Sequence, residues 1–293
     1  MKLLFILNPV AGTKKTRSSV PVIEEFCRER GIACDIVETG SPGDATNIAR
    51  ENATSYNGII AIGGDGTVLE VANGLFGTEV PLGILPLGSG NDFARALNIP
   101  IGLQNIGEAL KIIAERPPVQ IDAARFNGRI YLNVASVGFD AEIIRDLPRV
   151  KRFIKGSAAY PVSVFVKFLT YKPKDATIIM DGQELKTKVF LAAICNGTCY
   201  GGGMKVNPQG SVNDGYLDLV LIKPVPRYKI PLLLSRFIKG QHLNLPYVST
   251  YRCREVEIVS DESLVVNVDG ECASTTPICF SSAPLSIKVF GVL

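Results

Sequence analysis

Gly63-Gly64-Asp65-Gly66-Thr67 is the stretch of this chain best suited to chemistry. Its glycines let the backbone turn tightly and expose N–H groups without Cβ obstruction. Such donors, at the positive end of a helix, make a phosphate site. A bare anion cradle would exclude a carboxylate, so Asp65 points to a metal or a metal-bound water held against the phosphates. The stretch lacks the Gly-Lys-Ser/Thr of a Walker A loop, and Leu69 stands where a dinucleotide fingerprint needs a small residue. The plain alternative is a tight turn with no ligand.

The flanking sequence says what positions this loop. The apolar run Ile59-Ile60-Ala61-Ile62 reads as a strand. Val68, Val71, Ala72, Leu75 and Phe76 follow at helical spacing. Strand and helix signals alternate over residues 1–121: strands at Lys2–Leu7, Ile32–Val37 and Leu82–Leu85, and helices at Thr16 to Arg30, Asp44 to Ser55, Phe93–Leu97 and Leu103–Glu115. This alternation predicts an α/β domain with a mostly parallel sheet, helices on both faces, and ligands beyond the strands' carboxyl ends. Loops at Asn8, Thr39, Gly63 and Gly88 should meet there.

Pro117-Pro118 changes the rhythm, and residues 122–293 read as a second, β-rich sandwich domain with helical insertions. Val119–Phe126, Asn127-Gly128 and Ile130–Val137 predict one hairpin. Thr177–Met180, Asp181-Gly182 and Leu185–Cys195 predict another, with further strands at Tyr216–Ile222, Glu255–Val259, Leu264–Val268, Ile278–Ser281 and Leu285–Val289. The insertions, roughly 145–174 and 226–239, interleave bases such as Arg149, Lys151, Arg152, Lys155 and Arg236 with Phe153, Phe165, Leu232 and Phe237. Basic amphipathic helices suit an anionic membrane surface, at about 1 kcal/mol per basic residue. The alternative is that the apolar face packs on the sandwich and the charges are solvated.

Composition narrows the classes. The 293 residues are 46% apolar, ample for a core, and no apolar run reaches the roughly 18 residues of a membrane span. Leu3 to Leu7 stops at Asn8-Pro9 and reads as a first strand, not a signal sequence. A net charge of +3 gives no reason to expect nucleic acid. Seven scattered cysteines without zinc spacing read as free thiols in a reducing cytoplasm. The single histidine, His242, reads as a surface residue and argues against histidine-centred chemistry.

Further motifs stand in order along the chain. They are Asn8-Pro9-x-x-Gly12, Leu87-Gly88-Ser89-Gly90-Asn91-Asp92-Phe93, Ser136-Val137-Gly138-Phe139-Asp140-Ala141, Asn213-Asp214-Gly215-x-Leu217-Asp218 and Asp269-Gly270-Glu271. With the Gly-Gly-Asp-Gly-Thr loop, this set closely resembles the diacylglycerol-kinase-type catalytic domain family, which includes bacterial lipid kinases and the sphingosine and ceramide kinases. The resemblance covers nearly the whole chain. It implies an ATP-dependent kinase acting on the hydroxyl of a lipid such as diacylglycerol, with the active site between a nucleotide domain and a lipid domain. By matching positions it implies ATP contacts at Asn8, Thr39, Gly63, Gly64, Asp65, Gly66, Thr67 and Ser89. It implies Glu271 as general base and a Mg²⁺ held by Asp214 with the carbonyls of Ser211 and Tyr216, apart from any ion on ATP.

Locally, Ser89 is also a good helix cap, Asp269-Gly270 a hairpin turn and Asn-Asp-Gly a loop former. The expected protein is cytoplasmic, peripherally membrane-associated and compatible with a homodimer. Two other readings stand beside the lipid kinase: a soluble NAD-kinase-like phosphotransferase, and a nucleotide-binding, membrane-docking protein without turnover.

Overall fold

The computed structural model describes residues 1–12, 16–154 and 159–291. Lys155 of the expected basic run lies outside them.

The N-terminal part is α/β. Strands β1 (Lys2–Leu7), β2 (Ala33–Glu38), β3 (Gly58–Gly63) and β4 (Leu82–Pro86) pair in parallel in the order β2-β1-β3-β4. β1 and β3 are apolar runs because helices cover both faces of a parallel sheet. The edge strand β2 alternates instead. Helices α1 (Val20–Glu29), α2 (Asp44–Asn52), α3 (Asp65–Leu75), α4 (Asp92–Ala96) and α5 (Ile106–Glu115) belong to this part.

The rest is largely antiparallel. β5 (Val119–Phe126) and β6 (Arg129–Tyr131) form the hairpin at Asn127-Gly128. The second strand expected there, Ile130–Val137, is two strands. After β6 the chain leaves the first sheet at Leu132-Asn133 and enters a second one as β7 (Val134–Gly138). Leu185–Cys195 is likewise two strands, β8 (Lys174–Met180) pairing with β9 (Gln183–Val189) before β10 (Leu191–Cys195) joins the second sheet. An apolar run reads the same through such a crossing, because alternation reports faces and not which sheet is joined.

β11 (Leu217–Ile222), β12 (Val248–Cys253), β13 (Glu255–Val259), β14 (Val265–Val268), β15 (Glu271–Thr275) and β16 (Ile278–Val289) complete the set. β12 was not expected from the sequence, and β16 is one strand where two were expected, with its register shifting between Ala283 and Ile287. The second sheet runs β12-β11-β10-β7-β14-β15 and packs as an antiparallel sandwich on the extension of the first, β16-β13-β8-β9. β16 also returns to the N-terminal sheet, where Val289 pairs in parallel with Leu82 and packs into its core with Ile287 and Phe290.

Side chains of β10 and β11 divide by parity. Ala192, Ile194, Leu219 and Leu221 face the sandwich interior, while Leu191, Ala193, Val220 and Ile222 face outward. That outer face is covered by α6 (Phe139–Phe153), α7 (Ala159–Thr170) and α8 (Ile230–Lys239), through Phe139, Ile143, Leu233 and Phe237. The helical insertions therefore do pack on the sandwich. Phe165 and Leu232 nevertheless remain 61% and 53% exposed, and Phe153, Leu169 and Ile238 are exposed with them. No helix among the described residues is long and apolar enough to cross a membrane.

His242 is a correction. It is fully buried rather than at the surface, with Nε2 at 3.0 Å from the Val206 carbonyl and its ring against Phe237. Burial lowers its pKa, so it is neutral with the proton on Nε2. Its polar atoms gave no hint of the apolar shell that Phe237 and the following turn bring around it.

Candidate active site

Three loops at the carboxyl ends of β1, β3 and β4 press together. An added Cβ on Gly12, which has φ +56°, would fall 2.3 Å from the Leu87 carbonyl oxygen. One on Gly88 would fall 2.2 Å from Gly64 Cα. Glycine is required because backbone meets backbone. Asn8 Nδ2 donates to Thr67 Oγ1 at 3.0 Å, and Asn8 Oδ1 accepts the Val10 N–H at 3.1 Å. Thr39, half-buried at the end of β2, donates its N–H to the Leu7 carbonyl at 2.9 Å. Gly63, Gly64 and Asp65 bridge β3 to α3, with Gly64 as the N-cap and Gly66 exposed in the first turn. Ser89 stands exposed in the next loop, and Asn91 closes that loop, exchanging hydrogen bonds with the Gly88 N–H and carbonyl at 2.9 and 2.8 Å.

Asp65 faces the other half of the molecule across a cleft of about 300 Å³, lined by Ser89, Asp92, Asn133, Tyr200, Gly202 and Asp269 among others. Burial raises the Asp65 pKa, the Phe93 N–H at 3.2 Å opposes this, and the charge of Asp92 adds to it. Burial pushes Asp269 up to about 6, against the pull of the Leu132, Asn133 and Val134 N–H groups that its carboxylate caps at 2.9–3.1 Å. Asp92 accepts the N–H groups of Gly202 and Gly203, at 2.8 and 2.6 Å, and so ties the N-terminal half to the glycine loop of the other half.

Glu271 begins β15 just beyond the turn of Asp269 and Gly270, is exposed, and is not among the cleft-lining residues. Ser211, Asp214 and Tyr216 share one loop about 90 residues along the chain from Asp122, whose buried carboxylate accepts the Gly215 and Leu285 N–H groups at 2.6 and 2.8 Å. Asp214 Oδ2 pairs with Arg252 at 2.5 Å and Oδ1 accepts the Tyr216 N–H at 3.1 Å. Sequence reasoning missed Asp92, Asp122, Asn133 and Asp269 as site residues. Asp92 and Asp269 lay inside quoted motifs, but isolated acids and amides in turns give no local sign of what they cap.

The lining offers oxygen ligands: the carboxylates of Asp65, Asp92 and Asp269 and the hydroxyls of Ser89 and Tyr200. Asn133 Oδ1 is buried with no donor among the described residues. No cluster of three His, Cys, Asp or Glu side chains forms a ready-made metal cage among the described residues. This suits Mg²⁺, which takes one or two carboxylates and completes its shell with water and substrate phosphates. Behind Tyr200, a second cavity of about 150 Å³ is lined almost wholly by apolar side chains, among them Phe139, Val164, Leu191, Leu233 and Phe237. Tyr200 lines both spaces.

The chain matches the diacylglycerol kinase catalytic domain over residues 2–126. Residues 133–291 match a domain described as the YegS C-terminal NAD kinase beta sandwich-like domain. The chain belongs to the diacylglycerol and lipid kinase family. Within that family it is 30% identical over 291 residues to a diacylglycerol kinase of Staphylococcus aureus (strain MRSA252), covering 98% of this chain and 91% of that protein. It is 29% identical over 275 residues to the diacylglycerol kinase of Bacillus subtilis (strain 168), covering 93% and 90%. A crystal structure of a diacylglycerol kinase from Bacillus anthracis str. Sterne matches with a TM-score of 0.73 at 26% identity, covering 99% of this chain and 96% of that one.

Proposed function

We propose that this member of the lipid kinase family transfers the γ-phosphoryl group of ATP to the hydroxyl of a lipid such as diacylglycerol. One observation carries the reading: a carboxylate-bearing cleft headed by Asp65 shares Tyr200 with an apolar cavity, so a phosphate site and an acyl site adjoin. Residues 1–121 serve as the ATP-binding unit and 122–293 as the lipid-binding unit. Asn8, Thr39, Gly63 to Thr67 and Ser89 bind the nucleotide through loop N–H groups and hydroxyls. Asp65 would hold Mg²⁺, which would supply charge neutralisation on the transferring phosphates. The lipid oxygen attacks the γ-phosphorus, the bond from that phosphorus to the β–γ bridging oxygen breaks, and Glu271, next in the chain to the cleft-lining Gly270, takes the lipid's proton. Asp214, with the Ser211 and Tyr216 carbonyls, would hold a second Mg²⁺ remote from the transfer.

The lipid is met at a membrane. The exposed apolar side chains of α7 and α8 lie on the helices that line the apolar cavity, and Arg227, Lys229, Arg236 and Lys239 supply cationic charge near α8 with no acid on that helix. An NAD acceptor would want polar contacts where this cavity presents apolar ones.

The test is transfer of labelled phosphate from ATP, with Mg²⁺, to diacylglycerol, phosphatidylglycerol and sphingoid bases in mixed micelles. Lipid phosphate should form, and Asp65→Ala should lower its rate at least about 10³-fold. No product above that variant with any lipid overturns the reading, and NADP⁺ formed from NAD⁺ would replace it.

A further inference from the structure

The loop Gly201-Gly202-Gly203 belongs to the C-terminal side of the cleft, where Gly201 and Gly202 line the wall with Asp65, Ser89 and Asp92. Its three residues have φ of +63°, +86° and +105°, which glycine adopts without strain. Tyr200 and Met204 fasten its base by exchanging backbone hydrogen bonds at 3.1 and 3.0 Å. The turn presents the N–H groups of Gly202 and Gly203 together, as concave backbone turns that bind anions do. An anionic group already sits there. Asp92, 5% exposed, accepts the Gly202 N–H on Oδ2 at 2.8 Å and the Gly203 N–H on Oδ1 at 2.6 Å. Arg95, further along α4, lies beside the same loop, its Nε 3.6 Å from where a Cβ on Gly203 would stand.

A carboxylate is the side chain that most resembles a phosphoryl group. Each carries charged oxygens on one centre, and each is bound well by paired backbone N–H groups. Asp92 reaches the loop from the N-terminal half, and it does so beside a second acid. A Cβ on Gly90 would stand 2.7 Å from Asp65 Oδ2 and 3.4 Å from Asp92 Oδ2. Burial raises the Asp65 pKa, and the Asp92 charge adds to that rise. Two acids so placed repel, and the cation that accompanies ATP would attract both. Nucleotide entry therefore weakens the hold of Asp92 on the loop. It leaves two N–H donors at the cleft wall, where charge is spread over the phosphoryl oxygens in the transition state.

We propose that the Gly202 and Gly203 N–H groups are a binding site for the non-bridging oxygens of the transferring phosphoryl group, and that Asp92 fills this site until nucleotide enters. The inference rests on the phosphoryl-transfer reading given above and adds to it a phosphate site from the C-terminal half.

The test uses the full chain. Inorganic phosphate is titrated by calorimetry, without Mg²⁺, into wild type, Asp92→Ala and Asp65→Ala. Asp92→Ala should bind phosphate at least about tenfold more tightly than wild type, because it frees two donors for charge-assisted bonds. Asp65→Ala removes the same charge from the cleft but frees neither glycine, and should gain less than about threefold. In protein made with isotope-labelled glycine, the Gly202 and Gly203 amide resonances should move when phosphate binds Asp92→Ala. In wild type they should move with ADP, aluminium fluoride and Mg²⁺, a mimic of the transferring group, and stay in place with ADP alone. If they stay in place in both samples, or if Asp92→Ala gains no more than Asp65→Ala, this inference is overturned and the kinase reading stands. If thermal unfolding shows that Asp92→Ala does not fold, the wild-type resonances decide by themselves. If they respond to the analogue but no lipid is phosphorylated, the acceptor reading fails and the phosphate site stands. A wild type that binds neither ATP nor the analogue overturns both.

Discussion

At the scale of single residues, the carboxylates of the cleft are set apart by their surroundings. Asp269 is ringed by backbone N–H groups, yet burial lifts it to about 6 from 3.8. A carboxyl raised in this way keeps its proton longer in the folded chain than in the unfolded one. Its favourable contribution is therefore present at low pH and is lost as pH rises from 3.8 through about 6. Stability measured by urea unfolding across that window should fall less steeply with pH in Asp269→Asn than in wild type. Equal slopes would mean that Asp269 titrates as an ordinary aspartate. The buried thiols of Cys195 and Cys253 are also pushed up by burial, to about 12 for Cys253, which keeps them protonated and inert.

At the scale of elements, the site is made by loops whose backbones touch. Gly88→Ala places a methyl 2.2 Å from Gly64 Cα, and the clash is with main chain that has nowhere to go. It should cost about 1–3 kcal/mol and weaken ATP binding at least about tenfold, because both phosphate loops shift. Gly66→Ala meets nothing within 4 Å and lies inside α3, so its thermal midpoint should equal or exceed wild type's. A Gly88→Ala protein with wild-type stability and ATP affinity would show that the loops are not held by this contact. The helices over the sandwich carry a separate expectation. Phe165→Asp with Leu232→Asp alters exposed positions only, so the unfolding midpoint should move by no more than about 2 °C. Sedimentation with phosphatidylglycerol vesicles should drop at least about threefold. Undiminished vesicle binding would send the membrane contact to another face.

At the scale of the whole molecule, the two halves are joined in more than one way. β16 runs from the sandwich into the N-terminal core, and Asp92 holds the glycine loop at Gly202 and Gly203. The Asp92 link spans the cleft. Hydrogen bonds to a charged group contribute about 1.5–3 kcal/mol each. Asp92→Ala should therefore speed proteolytic cutting at residues 201–203 well before global unfolding. A cutting rate equal to wild type's would show that the loop is held by other contacts.

The sequence by itself determined the class of fold and the family. Apolar runs at β1 and β3, glycines at Gly63, Gly64 and Gly88, and acids inside glycine turns are local requirements, and each is written within a few neighbouring residues. The Asn127-Gly128 hairpin was legible for the same reason. Tertiary structure alone decided that the runs ending at Val137 and Cys195 cross from one sheet to the other, that His242 is buried, and that the helical insertions both cover the sandwich and leave Phe165 and Leu232 exposed. It also decided that Asp269 and Asn133 are among the residues lining the cleft opposite Asp65, and that the expected Glu271 is not. These depend on partners more than 60 residues away in the chain, such as Asp269 with Leu132 and Asn133 with Asn196. Alternation and turn chemistry record how a segment meets its nearest neighbours in sequence, and they carry no trace of which distant segment folds against it.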